Sequence, residues 1–89
     1  MQIKGTFITN LPITEGEGSN GHWMRGGFVI EYGDEYRHTL AFSTFNDKVE
    51  LSAGIQQGQR VEVSFSPESR EYNGRWYSEC KCYGINVIQ

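Results

Sequence analysis

The sequence predicts an all-β domain: a five-stranded barrel with one short helix between strands 3 and 4 and a long terminal β-hairpin. Three observations carry this reading. Five Phe, five Tyr and two Trp stand beside eleven Gly and only two Pro, a mix that favours strands and tight turns over helices. Residues Arg60 to Phe65 alternate cleanly, with Val61, Val63 and Phe65 on one face and Glu62 and Ser64 on the other. Asn73-Gly74 separates two strand-like runs and tolerates the positive φ angles that a type I′ hairpin turn requires.

The elements follow in order. Met1 to about Leu11 reads as the first strand, with Ile3 and Phe7 on one face and Gly5 where a strongly bent strand wants a glycine. Pro12 is expected to end it, and Thr14 to Gly21, rich in glycine and glutamate, reads as loop. Trp23 to Tyr32 is the second strand, bent or bulged at Gly26-Gly27, and a turn at Gly33-Asp34-Glu35 returns the chain into Tyr36 to Phe45. There Leu40 and Phe42 read as core, while Arg37 and Phe45 take the other face. Asn46 to Ile55 is the one helical candidate, one or two turns long, with Asp47 and Glu50 spaced as a capping box. Arg60 begins the fourth strand, and Arg75 to about Ile88 forms the fifth. Phe28, Ile30, Leu40, Phe42, Val61, Val63 and Phe65 read as core. This element order is that of the OB barrel. An SH3-like barrel is the nearest competitor, and the helix position and long terminal hairpin favour OB.

Residues 1–89 make one domain. A chain of this size buries roughly 60–65% of the surface its unfolded form exposes, too little for a deep cavity walled by a second domain. The net charge of −3 argues against a duplex-DNA binder, which draws affinity from a cationic excess. Single-strand binders lean partly on base stacking and tolerate a neutral or acidic chain. The N-terminus runs straight into a strand pattern with no apolar targeting region, and no segment nears the ~20 apolar residues that span a bilayer. A cytoplasmic protein without membrane partners is expected. Cys80 and Cys82 share a strand face about 6.5–7 Å apart, beyond comfortable disulfide reach, and read as reduced, core-facing thiols.

The Asn-Gly turn sets a testable register. Tyr72 falls opposite Arg75, Glu71 opposite Trp76, Arg70 opposite Tyr77, Phe65 opposite Cys82 and Ser64 opposite Tyr83. One face then collects Arg70, Tyr72, Arg75, Tyr77, Lys81 and Tyr83, and a bulge between Pro67 and Ser69 would flip part of it. Cations interleaved with phenol rings suit a single strand, whose phosphates pair with Arg and Lys while its bases stack on rings for ~1–3 kcal/mol each. Cross-strand Tyr–Arg pairs also support a hairpin that binds nothing, at ~0.2–1 kcal/mol each, and Glu68 and Glu79 would share the face and pair with its cations. Trp23 and Arg25 open the second strand, and Arg37, Phe45 and Lys48 lie on or beside the third, where OB barrels bind oligomers. Trp23 could equally close one end of the barrel. The expected strand-tracking cations are thus Arg25, Arg37, Lys48, Arg70, Arg75 and Lys81, and the stacking platforms Trp23, Phe45, Tyr72, Trp76 and Tyr77.

Catalysis has little to stand on. His22, His38, Cys80 and Cys82 nominally complete a zinc set, but lack the paired turns such sites use. No nucleophile elbow, metalloprotease helix or phosphate loop is present, and Glu15-Gly16-Glu17 reads as a solvated edge. The expectation is a binding protein with no cofactor and no enzymatic activity.

The chain resembles a family of small proteins of anaerobic bacteria and their phages that is grouped as a domain of unknown function. Leu11-Pro12, the run Gly16 to Gly21 leading to Trp23, Phe45-Asn46-Asp47-Lys48 and above all Ser69 to Tyr77 (SREYNGRWY) carry the resemblance. It implies an OB fold similar to single-stranded-DNA-binding proteins and a role in replication, recombination or repair. The apolar ending Ile85 to Gln89 departs from the acidic tail of the bacterial single-strand binders. The resulting expectation is a binder of single-stranded DNA, with RNA as the alternative strand, that has no strong sequence preference and works as a homo-oligomer, dimer or tetramer. The alternative is a protein–protein assembly module built on the same fold.

Overall fold

A computed structural model describes residues 1–19 and 21–88. The strands are β1 (Gln2–Gly18), β2 (Gly21–Tyr32), β3 (His38–Phe45), β4 (Arg60–Tyr72) and β5 (Arg75–Val87), with a 3-10 turn at Asn46–Glu50 between β3 and β4. They close in the order β1-β2-β3-β5-β4. All pairs are antiparallel except β3 with β5, which meet in parallel where Ser43 faces Lys81. The five-stranded OB barrel expected from the sequence is the fold observed.

β1 serves two partners, which is why it bends. Gln2 to Thr6 pair with β4, and from Thr6 onward the strand pairs with β2. Gly5 sits at the changeover, where an added Cβ would lie 2.7 Å from the Glu31 carbonyl oxygen. Inside, four rings contributed by successive strands run in contact. Phe7 stacks on Phe28 at 5.8 Å, Phe28 on Phe42 at 5.1 Å, and Phe65 meets Phe42 edge-on at 5.2 Å. Ile30, Val61, Val63 and Cys82 complete the buried core, and Leu40 and Cys80 pack against it half-buried.

Several expectations are corrected. Pro12 does not end β1. The register slips between Leu11–Gly27 and Thr14–Arg25, so Pro12 and Ile13 together oppose Gly26. A bulge leaves a residue unpaired, which suits a proline that has no N–H to donate. The segment Thr14 to Gly21 is therefore an arm rather than a loop: Thr14 to Gly18 pair with Gly21 to Arg25 (Asn20 lies outside the described residues). Gly26-Gly27 are not themselves bulged, since pairing of β2 with β3 runs unbroken past them. Gly27 instead admits β3, because a Cβ there would stand 2.2 Å from the Phe42 carbonyl oxygen.

The third strand begins at His38, two residues later than expected. The helical candidate is a five-residue 3-10 turn with no side-chain cap, so the Asp47/Glu50 capping box does not form. Asn46 takes φ +54° instead, and its Oδ1 accepts the Met24 N–H at 3.1 Å, tying the turn to the base of the β1–β2 arm. The terminal hairpin has Asn73 at φ +51° and Gly74 at φ +80°, both positive as the type I′ turn requires. The register holds from Tyr72–Arg75 down to Phe65–Cys82. The bulge falls at Ser64/Phe65 rather than between Pro67 and Ser69, so Ser64 faces Gly84 and Tyr83 is the extra residue.

Candidate functional site

Side chains alternate across a strand, so the buried set fixes the outer set. Phe28, Ile30, Phe42 and Thr44 point inward from β2 and β3, which turns Arg25, Ser43 and Phe45 outward. Arg25 faces Phe45 across the ladder, and Lys81 joins them through its bridge to Ser43. The Arg25 guanidinium lies 5.3 Å from the Phe45 ring centroid and the Lys81 Nζ 5.6 Å from it. Both distances are within cation–π range. Phe45 is thus a half-buried ring carrying two cations.

From this floor an open groove of about 320 Å³ runs onto the β4–β5 hairpin, lined by Arg25, Glu68, Ser69, Arg70, Tyr77, Ser78 and Glu79. Arg70–Tyr77 and Tyr72–Arg75 are directly opposed pairs further out on the same hairpin face. Tyr72 and Tyr77 are both exposed, as are Arg70 and Arg75. Seven of the expected residues therefore share one surface: Arg25, Phe45, Lys81, Arg70, Tyr77, Tyr72 and Arg75.

The other four stand elsewhere. Trp76 opposes Glu71 and falls on the other face of the hairpin, 69% exposed. Trp23 lies on the β1–β2 arm, in the same alternation as Arg25, with its indole laid over Gly16 so closely that a Cβ there would be 2.6 Å from the ring. Arg37 precedes β3 at its far end and bonds Glu31 at 2.8 Å. Lys48 is exposed on the 3-10 turn, three residues beyond Phe45.

The groove is electrostatically mixed. Glu79 accepts from the Arg25 guanidinium and from the Ser43 hydroxyl at 2.8 Å. Glu68, opposite Glu79 on β4, forms an ion pair with Lys81 at 3.2 Å. Among the described residues Arg70 and Arg75 have no ion-pair partner. Sequence reasoning anticipated the two glutamates but missed Ser43. Its signal was available, since an outward serine two residues before Phe45 sits on the same face.

On the β1–β2 arm, Glu15 and Glu17 stand on a solvated edge as expected, and both lie beside His22, at 2.9 and 2.6 Å. Among the described residues no group of three or more His, Cys, Asp or Glu side chains is placed to hold a metal ion. Cys80 and Cys82 are free. Burial pushes the Cys82 thiol up, against a backbone hydrogen bond at Gly84 and the Lys48 charge, which lower it. Burial and the neighbouring Glu79 push Cys80 up as well. Both sulfurs are thereby held as thiols, poor nucleophiles. No helix among the described residues is long and apolar enough to cross a membrane.

With the geometry in place, comparisons locate the fold among known proteins. The family model of the domain of unknown function DUF3127 matches residues 2–86. No curated protein matches the chain. Among solved structures, the mitochondrial single-stranded DNA binding protein Rim1 of S. cerevisiae is similar, with a TM-score of 0.72 at 15% identity over 100% of this chain and 94% of that one. The N-terminal domain of the PriB protein from Thermoanaerobacter tencongensis, described as dimeric, has a TM-score of 0.56 at 17% identity, again over 100% and 94%. At such identities the likeness establishes a shared OB barrel.

Proposed function

The chain belongs to the DUF3127 family of domains of unknown function, and we propose that it is a single-stranded-DNA-binding OB module that reads the strand without strong sequence preference and catalyses no reaction. The observation that carries this is the Phe45 ring flanked by Arg25 and Lys81, beside a groove that Arg25, Arg70 and Tyr77 line, with Tyr72 and Arg75 further out on the same hairpin face. Rings alternating with cations along one path offer π-faces to bases and charges to the backbone between them, and every base has a π-face. Rim1 is by its name a single-stranded DNA binding protein, which agrees with this reading.

One barrel covers only ~4–16 nucleotides, so tight binding calls for several copies on one strand, as a dimer or tetramer. Such a module serves replication, recombination or repair. A second reading, a protein–protein assembly module, is favoured by one observation: Arg25, Lys81 and Arg37 are each already paired with a glutamate.

Fluorescence anisotropy of an end-labelled thymidine oligonucleotide of about 30 residues separates the two readings. A rise in anisotropy on adding protein at ~20 mM salt that fades toward ~300 mM is the expected result, because counterion release gives the binding constant its salt dependence. Unchanged anisotropy at micromolar protein and low salt favours the assembly module.

A further inference from the structure

Glu68 and Glu79 face each other across the β4–β5 ladder, in the middle of the surface assigned above to the strand. Like charges directly opposed on a sheet destabilise it, so the pair does not hold the hairpin together. Each carboxylate is instead satisfied by a cation of the groove. Glu79 accepts from Arg25 and from the Ser43 hydroxyl, and Glu68 forms an ion pair with Lys81 at 3.2 Å. The same two cations flank Phe45. Glu79 is the most sheltered of the four ionic side chains, 23% exposed against 52% for Arg25, so its bond is the less screened by water.

A carboxylate bonded to a guanidinium occupies the position a phosphate would take. We propose that Glu68 and Glu79 are specificity-determining residues, internal competitors for backbone phosphate on Arg25 and Lys81, which make the groove reject lone anions and short oligonucleotides. The inference rests on the single-strand reading of this face.

A mononucleotide entering beside Phe45 must displace a carboxylate already in place, and gains one stacking contact in return. A longer strand first engages Arg70 and Arg75, which have no ion-pair partner among the described residues, and stacks on Tyr72 and Tyr77. Only then does it gain enough to displace both glutamates. The net charge of −3, awkward for a nucleic-acid binder, is on this account partly a selectivity device.

Oligothymidylates of about 4, 8, 16 and 30 residues, titrated into the wild type, Glu68→Gln, Glu79→Gln and the double variant, test this. Glu31→Gln, which releases Arg37 at the far end of the sheet, is the control for a general gain of positive charge. Each groove substitution is expected to tighten binding of the shorter oligomers about three- to fivefold, the range of an exposed ion pair. It should also steepen the logarithmic salt dependence by about 0.7 per released cation. Glutamine keeps the shape and removes an opposed charge, and circular dichroism melting verifies that the variants fold. Wild type binding as tightly as the groove variants at every length, or Glu31→Gln tightening equally, overturns the proposal and leaves the single-strand reading intact. Absence of binding by all five proteins at low salt overturns both.

Discussion

Phe42→Ala is expected to remove about 3–5 kcal/mol of stability, the range for truncating a buried aromatic side chain in a packed core. The size follows from position rather than from burial alone. Phe42 is 1% exposed and touches rings on either side, stacking on Phe28 at 5.1 Å and receiving Phe65 edge-on at 5.2 Å. It also stands in the strand whose carbonyl approaches Gly27, so β3 cannot move inward to fill the hole without that contact tightening. Native domains hold only about 5–15 kcal/mol in total, and 89 residues place this one toward the lower end. A thermal midpoint lowered by about 15 °C or more is the expected reading. A shift of only a few degrees would mean that the four-ring stack is not the centre of the fold.

The second large effect belongs to the hairpin. Tyr72→Ala with Tyr77→Ala is expected to weaken binding of a long oligothymidylate at least about 30-fold, from two lost stacking platforms at ~1 kcal/mol or more each. Their cross-strand partners are Arg75 and Arg70, and losing those pairs costs the fold only about 1 kcal/mol. Affinity and stability therefore separate in this variant, with a circular dichroism melt checking that the protein remains folded. Equal affinity in the variant and the wild type would confine binding to the Phe45 end of the groove or remove it from this face.

How much of this was legible in the sequence depends on the range of the interaction concerned. The Asn73-Gly74 turn is a local device, and it set the hairpin register correctly for eight opposed pairs from Tyr72–Arg75 down to Phe65–Cys82. The register failed only at Tyr83, because a bulge answers to barrel closure and not to the residues beside it. The β1–β2 arm was hidden for a related reason. Pro12 and the glycines that follow carry the signature of a strand end, and only the opposing β2 backbone reveals that they form a bulge and then a paired ribbon. The helical candidate over-read Asp47 and Glu50, since the left-handed Asn46, anchored by Met24, starts a tighter turn before a cap can form.

At the candidate site, alternation was enough to place Arg70, Tyr72, Arg75, Tyr77 and Lys81 on one face. What no periodicity could reveal is the long-range meeting of β3 with β5, which brings Phe45 between Arg25 and Lys81 and sets Glu79 against Ser43.

The most direct test of the central claim is a map of backbone amide shifts as a thymidine oligonucleotide is added to the isotopically labelled chain. Binding on the proposed face moves Arg25, Ser43, Phe45, Arg70, Tyr77 and Lys81 together and saturably. It leaves Lys4 and Glu62, paired on the outer surface of β1 and β4, where they are. Shifts centred on Lys4 and Glu62, or none on the groove residues at saturating oligonucleotide, would contradict it.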